Sequence, residues 1–388
     1  MDKKAQIKFL IYCIGLTKDE NPPVRFEELT AKEWTTILKK ARLHSITPLL
    51  YHHLKQRKIQ IPANLMEQLE QAYLRNSFKN THIYYELSRI LNKAANENIP
   101  IIILKGAALA GSVYPSIALR PMKDLDLLVK IEDVYKVHEL LIQLGWESEY
   151  SKESIEHHLQ LNYSLRYIKQ GILIDLHIKI PEISAINPWL NATSVTINST
   201  KMLVMGTDDL LLHLCIHLYE HTRIELFAEL IKFYDIVLLI RKHEINWDYV
   251  IQNAYTNQCE NIMYHILDFV RSEFGEDIPI DVLEKLKSDK FTIQISKGLY
   301  NTPEYITNTF KPIKALVRAI YSRRFDPKNI TISDVIKEIF RSIFPDKNWM
   351  LKRYSPKKSW LFFIYYPVYI VTGVRNFLKI LFKQVFKH

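Results

Sequence analysis

What the chain lacks narrows the field first. It has only three cysteines, Cys13, Cys215 and Cys259, far apart and with no C-x-x-C pair. Nothing in them suggests structural zinc or a dithiol redox motif, and they fit a reducing, cytoplasmic setting. The opening MDKKAQIKFLIYCIGL sets basic residues before an apolar run. That run is short, lacks a small-x-small cleavage pattern and continues into TKDE, so no signal peptide is expected. The uncharged stretch 359–374 falls short of the ~20 residues a membrane span needs, and Pro367 and Gly373 interrupt it. No RNA-binding module is visible. Nor does any histidine pair carry the glutamate of an H-E-x-x-H zinc enzyme.

What is present is a folded protein. With 388 residues and a hydrophobic fraction of 48%, it can build two or three domains with real cores. The net charge of +10 is concentrated at one end: after residue 300 there are 17 Lys or Arg against 5 Asp or Glu, and before it 35 against 37. A nucleic-acid enzyme would be basic around its active site. Here the basic part lies elsewhere, and a nucleic-acid partner is not expected.

The demanding chemistry sits at 104–130. PIIIL (100–104) is a β-branched run suited to a buried strand, broken at Lys105 and Gly106 into the helix-forming AALAGSVY. Strand, glycine turn and helix together can hold phosphates. Next, Leu125, Leu127 and Leu128 surround Asp124 and Asp126 in an apparent second strand, whose period of two sends both carboxylates to one face. Two acids on one apolar face repel unless a cation lies between them, and a hard divalent ion bound by oxygens is the usual solution. A third acid, Asp175, stands mid-strand in GILIDLHIKI. Three carboxylates from neighbouring strands can bind two Mg2+ or Mn2+ ions about 3.5–4 Å apart, the clamp used for in-line phosphoryl displacement. An isolated D-x-D is more often a solvated strand end. The upstream turn and the downstream acid reverse that balance.

These residues resemble the DNA polymerase beta-like nucleotidyltransferases, whose pattern is a glycine turn, an acid-x-acid strand and a third acid on a later strand. LKGAALA, YPSIALRPMKDLDLLV, LIDLHIKI and DDLLLHLCIHLYEH resemble more closely an uncharacterised bacterial nucleotidyltransferase branch, over about 54–247. The resemblance implies an α/β (α+β) fold: a polymerase beta-like core with a mixed sheet, flanked by N- and C-terminal helical regions. It also implies transfer of NMP from an NTP, with release of pyrophosphate, to an acceptor that the sequence does not identify. Asp124, Asp126 and Asp175 would be catalytic and metal-binding. One departure is Ala107, where many members carry Ser or a second Gly. Without that hydroxyl, Lys105 or backbone N–H groups after Gly106 must serve the phosphates. Arg120 is a second cation for that task, or a loop cation. His177, on the same strand face as Asp175, either lines the acceptor pocket or is a hydrogen-bonded structural histidine.

The remaining regions frame this core. Expected domains are a helical region 1–95, the catalytic core 96–205, a helical domain 206–300 and a basic region 301–388. IEDVYKVHELLIQLGW reads as an amphipathic helix ending at Gly145, and HHLQLNYSLRYI pairs with ILIDLHIKI as an antiparallel hairpin about the turn Lys169, Gln170 and Gly171. Thr207 or Asp208 caps the helix LLLHLCIHLYEH. Its His213, His217 and His221 share a face, and a zinc site there would need a third ligand from elsewhere; packing is the preferred reading. Glu229, Lys232 and Asp235 on the next helix receive no catalytic role. The tail 352–388 combines an aromatic run with eight cations and an amphipathic end, so it either lies on an anionic membrane surface, at the inner face of the membrane, or packs on the enzyme body. Two rival readings remain: a catalytically silent, membrane-associated interaction protein, and a polynucleotide-modifying enzyme. The sequence does not specify an oligomeric state.

Overall fold

The computed structural model describes residues 1–287 except 19–20, 149, 162, 198–199 and 226, and beyond them 299, 350, 359–369 and 371. Contacts divide the chain into two compact units, Met1–Leu218 with Glu229–Lys287 and Tyr219–Ala228 with Ser288–His388.

Four helices open the first unit: α1 (Lys3–Cys13), α2 (Ala31–Leu43), α3 (Thr47–Gln56) and α4 (Ala63–Asn96). Helix α2 starts with a reciprocal capping box between Thr30 and Glu33, which satisfies two backbone donors left over at its first turn. The first three regions anticipated from the sequence fall, up to residue 287, in this one unit apart from 219–228.

A seven-stranded mixed sheet follows. Its strands are β1 (Ile102–Ile103), β2 (Leu125–Leu128), β3 (Glu147–Ser148), β4 (Ser164–Lys169), β5 (Ile172–His177), β6 (Thr193–Ile197) and β7 (Thr200–Val204), in the order β3-β4-β5-β2-β1-β7-β6. Between strands lie α5 (Lys105–Ser112), α6 (Val134–Gln143) and α7 (Lys152–Leu161). The β4–β5 hairpin closes through Gln170 at φ 49° and Gly171 at φ 78°, the left-handed pair a two-residue turn needs to match strand twist. The first half of HHLQLNYSLRYI is helical, since α7 runs to Leu161 and β4 begins only at Ser164. Apolar spacing over so few residues does not separate a helix from a strand.

Strand β2 pairs in parallel with β5, so that Leu125 faces Ile174, Asp126 faces Asp175, Leu127 faces Leu176 and Leu128 faces His177. Alternation then divides the sheet. Leu125, Leu127, Ile174 and Leu176 join the core with Leu87 and Ile90 of α4 and Val137 and Leu141 of α6, while Asp126, Asp175 and His177 stand on the other face. The unit is completed by α8 (Thr207–Glu225, to Leu218), α9 (Leu230–Lys242), α10 (Trp247–Thr256), α11 (Glu260–Phe274) and α12 (Ile280–Leu286).

Helix α4 also fixes the loop that delivers β2. Asn76 Nδ2 donates to the carbonyl of Ala118 at 2.7 Å, Lys79 Nζ to Met122 at 2.7 Å, and the buried Asn80 Nδ2 to Ile117 and to Arg120 at 2.8 Å. Buried carbonyls stripped of a donor cost about 1–3 kcal/mol. Asn80→Ala should therefore lower the unfolding free energy by about 2 kcal/mol, measured by urea denaturation, and exposed Gln71→Ala on the same helix should leave it nearly unchanged.

Candidate active site

The site is built where β1 turns into α5. Leu104 N–H donates to the carbonyl of Asp126 at 3.0 Å, which ties the end of β1 to the middle of β2. Lys105 then takes φ 45°, a left-handed conformation uncommon for a residue with a side chain and typical of functional turns. At the neighbouring Gly106, a Cβ would meet Met122 at 3.4 Å and the Arg120 guanidinium at 3.7 Å. Those are ordinary contacts, so packing alone does not demand glycine there.

The acids come together as the register dictates. Donor atoms of Asp126, Asp175 and His177 all lie within 4.8 Å of one another. Asp126 is 8% exposed. Its Oδ1 accepts from His177 Nε2 at 2.9 Å and from Lys105 Nζ at 3.4 Å. Burial alone would raise its pKa, but the His177 hydrogen bond and the Lys105 charge outweigh that and hold it down to about 2. An ionised carboxylate only accepts, so His177 must carry its proton on Nε2 and acts to orient Asp126. Asp175 accepts from Arg166 Nε at 3.1 Å, its cross-strand partner on β4.

Asp124 lies immediately before β2 and is half-buried. Its pKa is raised, first by burial and then by the charges of Asp126 and Asp175. The like-charge repulsion of the acid trio therefore falls on Asp124, whereas Asp126 is the compensated member.

The cations divide differently from the sequence reading. Arg120 is engaged by Asp235: Nε donates to Oδ1 at 2.8 Å and Nη2 to Oδ2 at 2.7 Å, while Nη1 donates to the carbonyl of Pro121. Tyr114 Oη donates to the same Asp235 at 2.7 Å. Most of the Arg120 charge thus serves to lock α9 against the loop before β2. Lys232 is also on α9. Burial lowers its pKa to about 7, against the pull of Glu229 and with the push of Lys123, Arg120 and Lys105. A dianionic or more highly charged ligand would relieve that crowding of positive charge.

Arg166 and Lys232 gave no functional signal in the sequence, and His213 reads there as packing in preference to a zinc ligand. Arg166 alternates with apolar neighbours as any exposed strand residue does, and the other two are helical residues brought in by long-range packing. His213 is 1% exposed, and burial and then Lys105 push its pKa down to about 3.

The sequence profile of the uncharacterised nucleotidyltransferase family matches residues 30–275. No curated protein is significantly similar in sequence. Among solved structures, the crystal structure of ANT(2″)-Ia in complex with adenylyl-2″-tobramycin is 16% identical, with 47% of this chain and 97% of that one covered and a TM-score of 0.34. The solution structure of the antibiotic-resistance factor ANT(2″)-Ia is 13% identical over 46% and 90%, with TM-score 0.34. An antigenic nucleotidyltransferase-like protein from Paracoccidioides brasiliensis is 16% identical over 51% and 89%, with TM-score 0.31. These superpositions are too loose to locate a substrate.

The opposite environments of Asp124 and Asp126 have a measurable consequence in metal-free protein. Ionised Asp126 stabilises the fold fully above its unfolded pKa near ~4, and that contribution is lost as pH falls toward the folded value of about 2. Asp126→Asn should cost on the order of 2 kcal/mol at neutral pH, and its loss of stability between about pH 4 and pH 2 should be shallower than that of the native protein. Asp124→Asn should raise the melting temperature. Thermal denaturation with a chelator present checks both.

Proposed function

The chain belongs to the family of uncharacterised nucleotidyltransferases and is a nucleotidyl-transferring enzyme; on that premise we propose that it moves a nucleoside monophosphate from an NTP to a small acceptor, a sugar, peptide or other small molecule. The observation that carries this reading is the register of β2 with β5, which sets Asp126 beside Asp175 next to the turn headed by Lys105. In the reaction an acceptor oxygen attacks the α-phosphorus, the bond to the β-phosphate oxygen breaks, and pyrophosphate leaves with the electron pair. The acceptor proton passes to a carboxylate. Asp175 suits that role, because Asp126 is already held by His177 and Lys105.

A divalent cation fits the donor set. Burial and then the charges of Asp126 and Asp175 raise Asp124, which a cation would offset, and hard carboxylate oxygens suit Mg2+ or Mn2+. Asp126, Asp175 and Asp124 would hold it, and when bound it neutralises charge on the phosphates undergoing displacement. The backbone N–H groups at the first turn of α5 would meet the phosphate oxygens. Lys105 and Lys232 balance the rest of the triphosphate, with Arg120 behind them fixed by Asp235.

The direct test incubates the protein with each labelled NTP, Mg2+ and a cell extract. Label should pass to a small acceptor with release of pyrophosphate, and Asp126→Asn or Asp175→Asn should reduce transfer at least about 100-fold. Absence of transfer with every NTP would sink the reading, and label entering RNA or DNA would redirect it to polynucleotides. Lys232 adds a pH signature. Above about pH 7 it is neutral in the free protein, so binding a triphosphate takes up a proton, and affinity should fall by up to about tenfold per pH unit. Lys232→Arg should flatten that fall.

The tail supports peripheral binding to an anionic membrane surface, with the enzyme at its cytoplasmic face. Most of 352–388 lies outside the described residues. In the described part, Trp360, Ile364, Val368 and Val371 are 49% to 66% exposed, while Tyr369 is buried. Among the described residues, no helix is long and apolar enough to cross a membrane. Eight cations from Lys352 to Lys387, with no acid after Asp346, attract anionic lipid at about 1 kcal/mol each near the surface. Co-sedimentation with anionic vesicles should fall with added salt and drop sharply on changing Lys379, Lys383 and Lys387 to Glu. Equal recovery with neutral vesicles would rule this out.

A further inference from the structure

The histidines of α8 lacked a third ligand in the sequence, and the fold supplies one. Glu182 lies in the short 3₁₀ turn Pro181–Ile183, just after β5, and reaches the face of α8 that carries His213 and His217. Donor atoms of Glu182, His213 and His217 all lie within 4.8 Å of one another. A bond length of ~2.1 Å places tetrahedral donors roughly 3.4 Å apart, so small side-chain rotations suffice to close the set.

Two further observations favour a ligand over packing. His213 is 1% exposed, and its Nδ1 is buried with no hydrogen-bond partner, an arrangement that costs stability unless something satisfies it. His217 and Glu182 are half-buried, so one side of the set is reachable by an ion.

We infer that Glu182, His213 and His217 form a second metal site, separate from the acid cluster and selective for a transition-metal dication, with zinc the best match. Two imidazoles and one carboxylate make an N2O donor set. Such a set favours zinc over magnesium, which prefers oxygen donors. The fourth position stays open to water or to an acceptor group. His213 lies within electrostatic reach of Asp126, His177 and Lys105, so the site adjoins the acid cluster and pins α8 to the chain leaving β5. The inference does not depend on turnover and stands or falls by metal content.

The test uses the full chain, stripped with a chelator, reloaded with Zn2+ in excess Mg2+ and passed through a desalting column. Metal is then counted by mass spectrometry. Native protein and the Asp126→Asn, Asp175→Asn double variant should both retain one zinc, while Glu182→Gln and His217→Ala should each bind it at least roughly tenfold more weakly. X-ray absorption of the native zinc form should show two imidazole ligands, a readout that stands even if a variant fails to fold. Retention lost only in the double aspartate variant, zinc unaffected by Glu182→Gln and His217→Ala, or no retained zinc at all would overturn the site.

Discussion

The structure depends on one pairing: β2 beside β5 in parallel, with Asp126 directly across from Asp175. Placing two carboxylates side by side on a largely buried sheet face is costly unless each finds a partner. The fold provides different partners to each. Asp126 accepts a hydrogen bond from His177 and faces the charge of Lys105, and Asp175 pairs with the more exposed Arg166. Asp124, at the strand entrance, is left carrying the repulsion. That asymmetry leaves one acid rigidly ionised and another poised for a cation, which is how a pair of like groups can divide two roles.

Holding such a face in place falls to the elements around it. Helix α4 grips the loop before β2 through carbonyl hydrogen bonds from Asn76, Lys79 and Asn80. On another side, Arg120 clasps Asp235 of α9 with Tyr114 as a second donor. A buried ion pair is weak evidence of stability, and this one ties α9 to the chain four residues before Asp124 and six before Asp126. The same clasp carries Lys232 toward the turn. The loop before β2 and the acids that follow it are therefore held by side-chain contacts from two separate helices, α4 and α9, and the strand alone does not position them.

The metal chemistry of the two neighbouring clusters follows from donor type. Carboxylates dominate where phosphates would bind, and imidazoles dominate five residues beyond His177, where Glu182 meets α8. Hard and borderline cations would sort between them by this difference. The basic tail belongs to a different problem. Its charge is concentrated far along the chain from the acids.

Much of this was legible in the sequence because its causes are local. Alternation marked Asp126 and Asp175 as strand residues, Gln170 and Gly171 marked the hairpin, and the break at Lys105 and Gly106 marked the turn, since backbone sterics act over a few residues. Tertiary structure decided what depends on residues distant in the chain. It paired strands some 50 positions apart, made Asp126 the compensated acid and Asp124 the repelled one, assigned Arg120 to Asp235, brought Lys232 to the turn and gave the α8 histidines Glu182. It also turned residues 157–161 into helix. Each of these is a choice between partners of equal local plausibility, and only packing selects among them, because the free energy of a buried charge is set by what surrounds it in space.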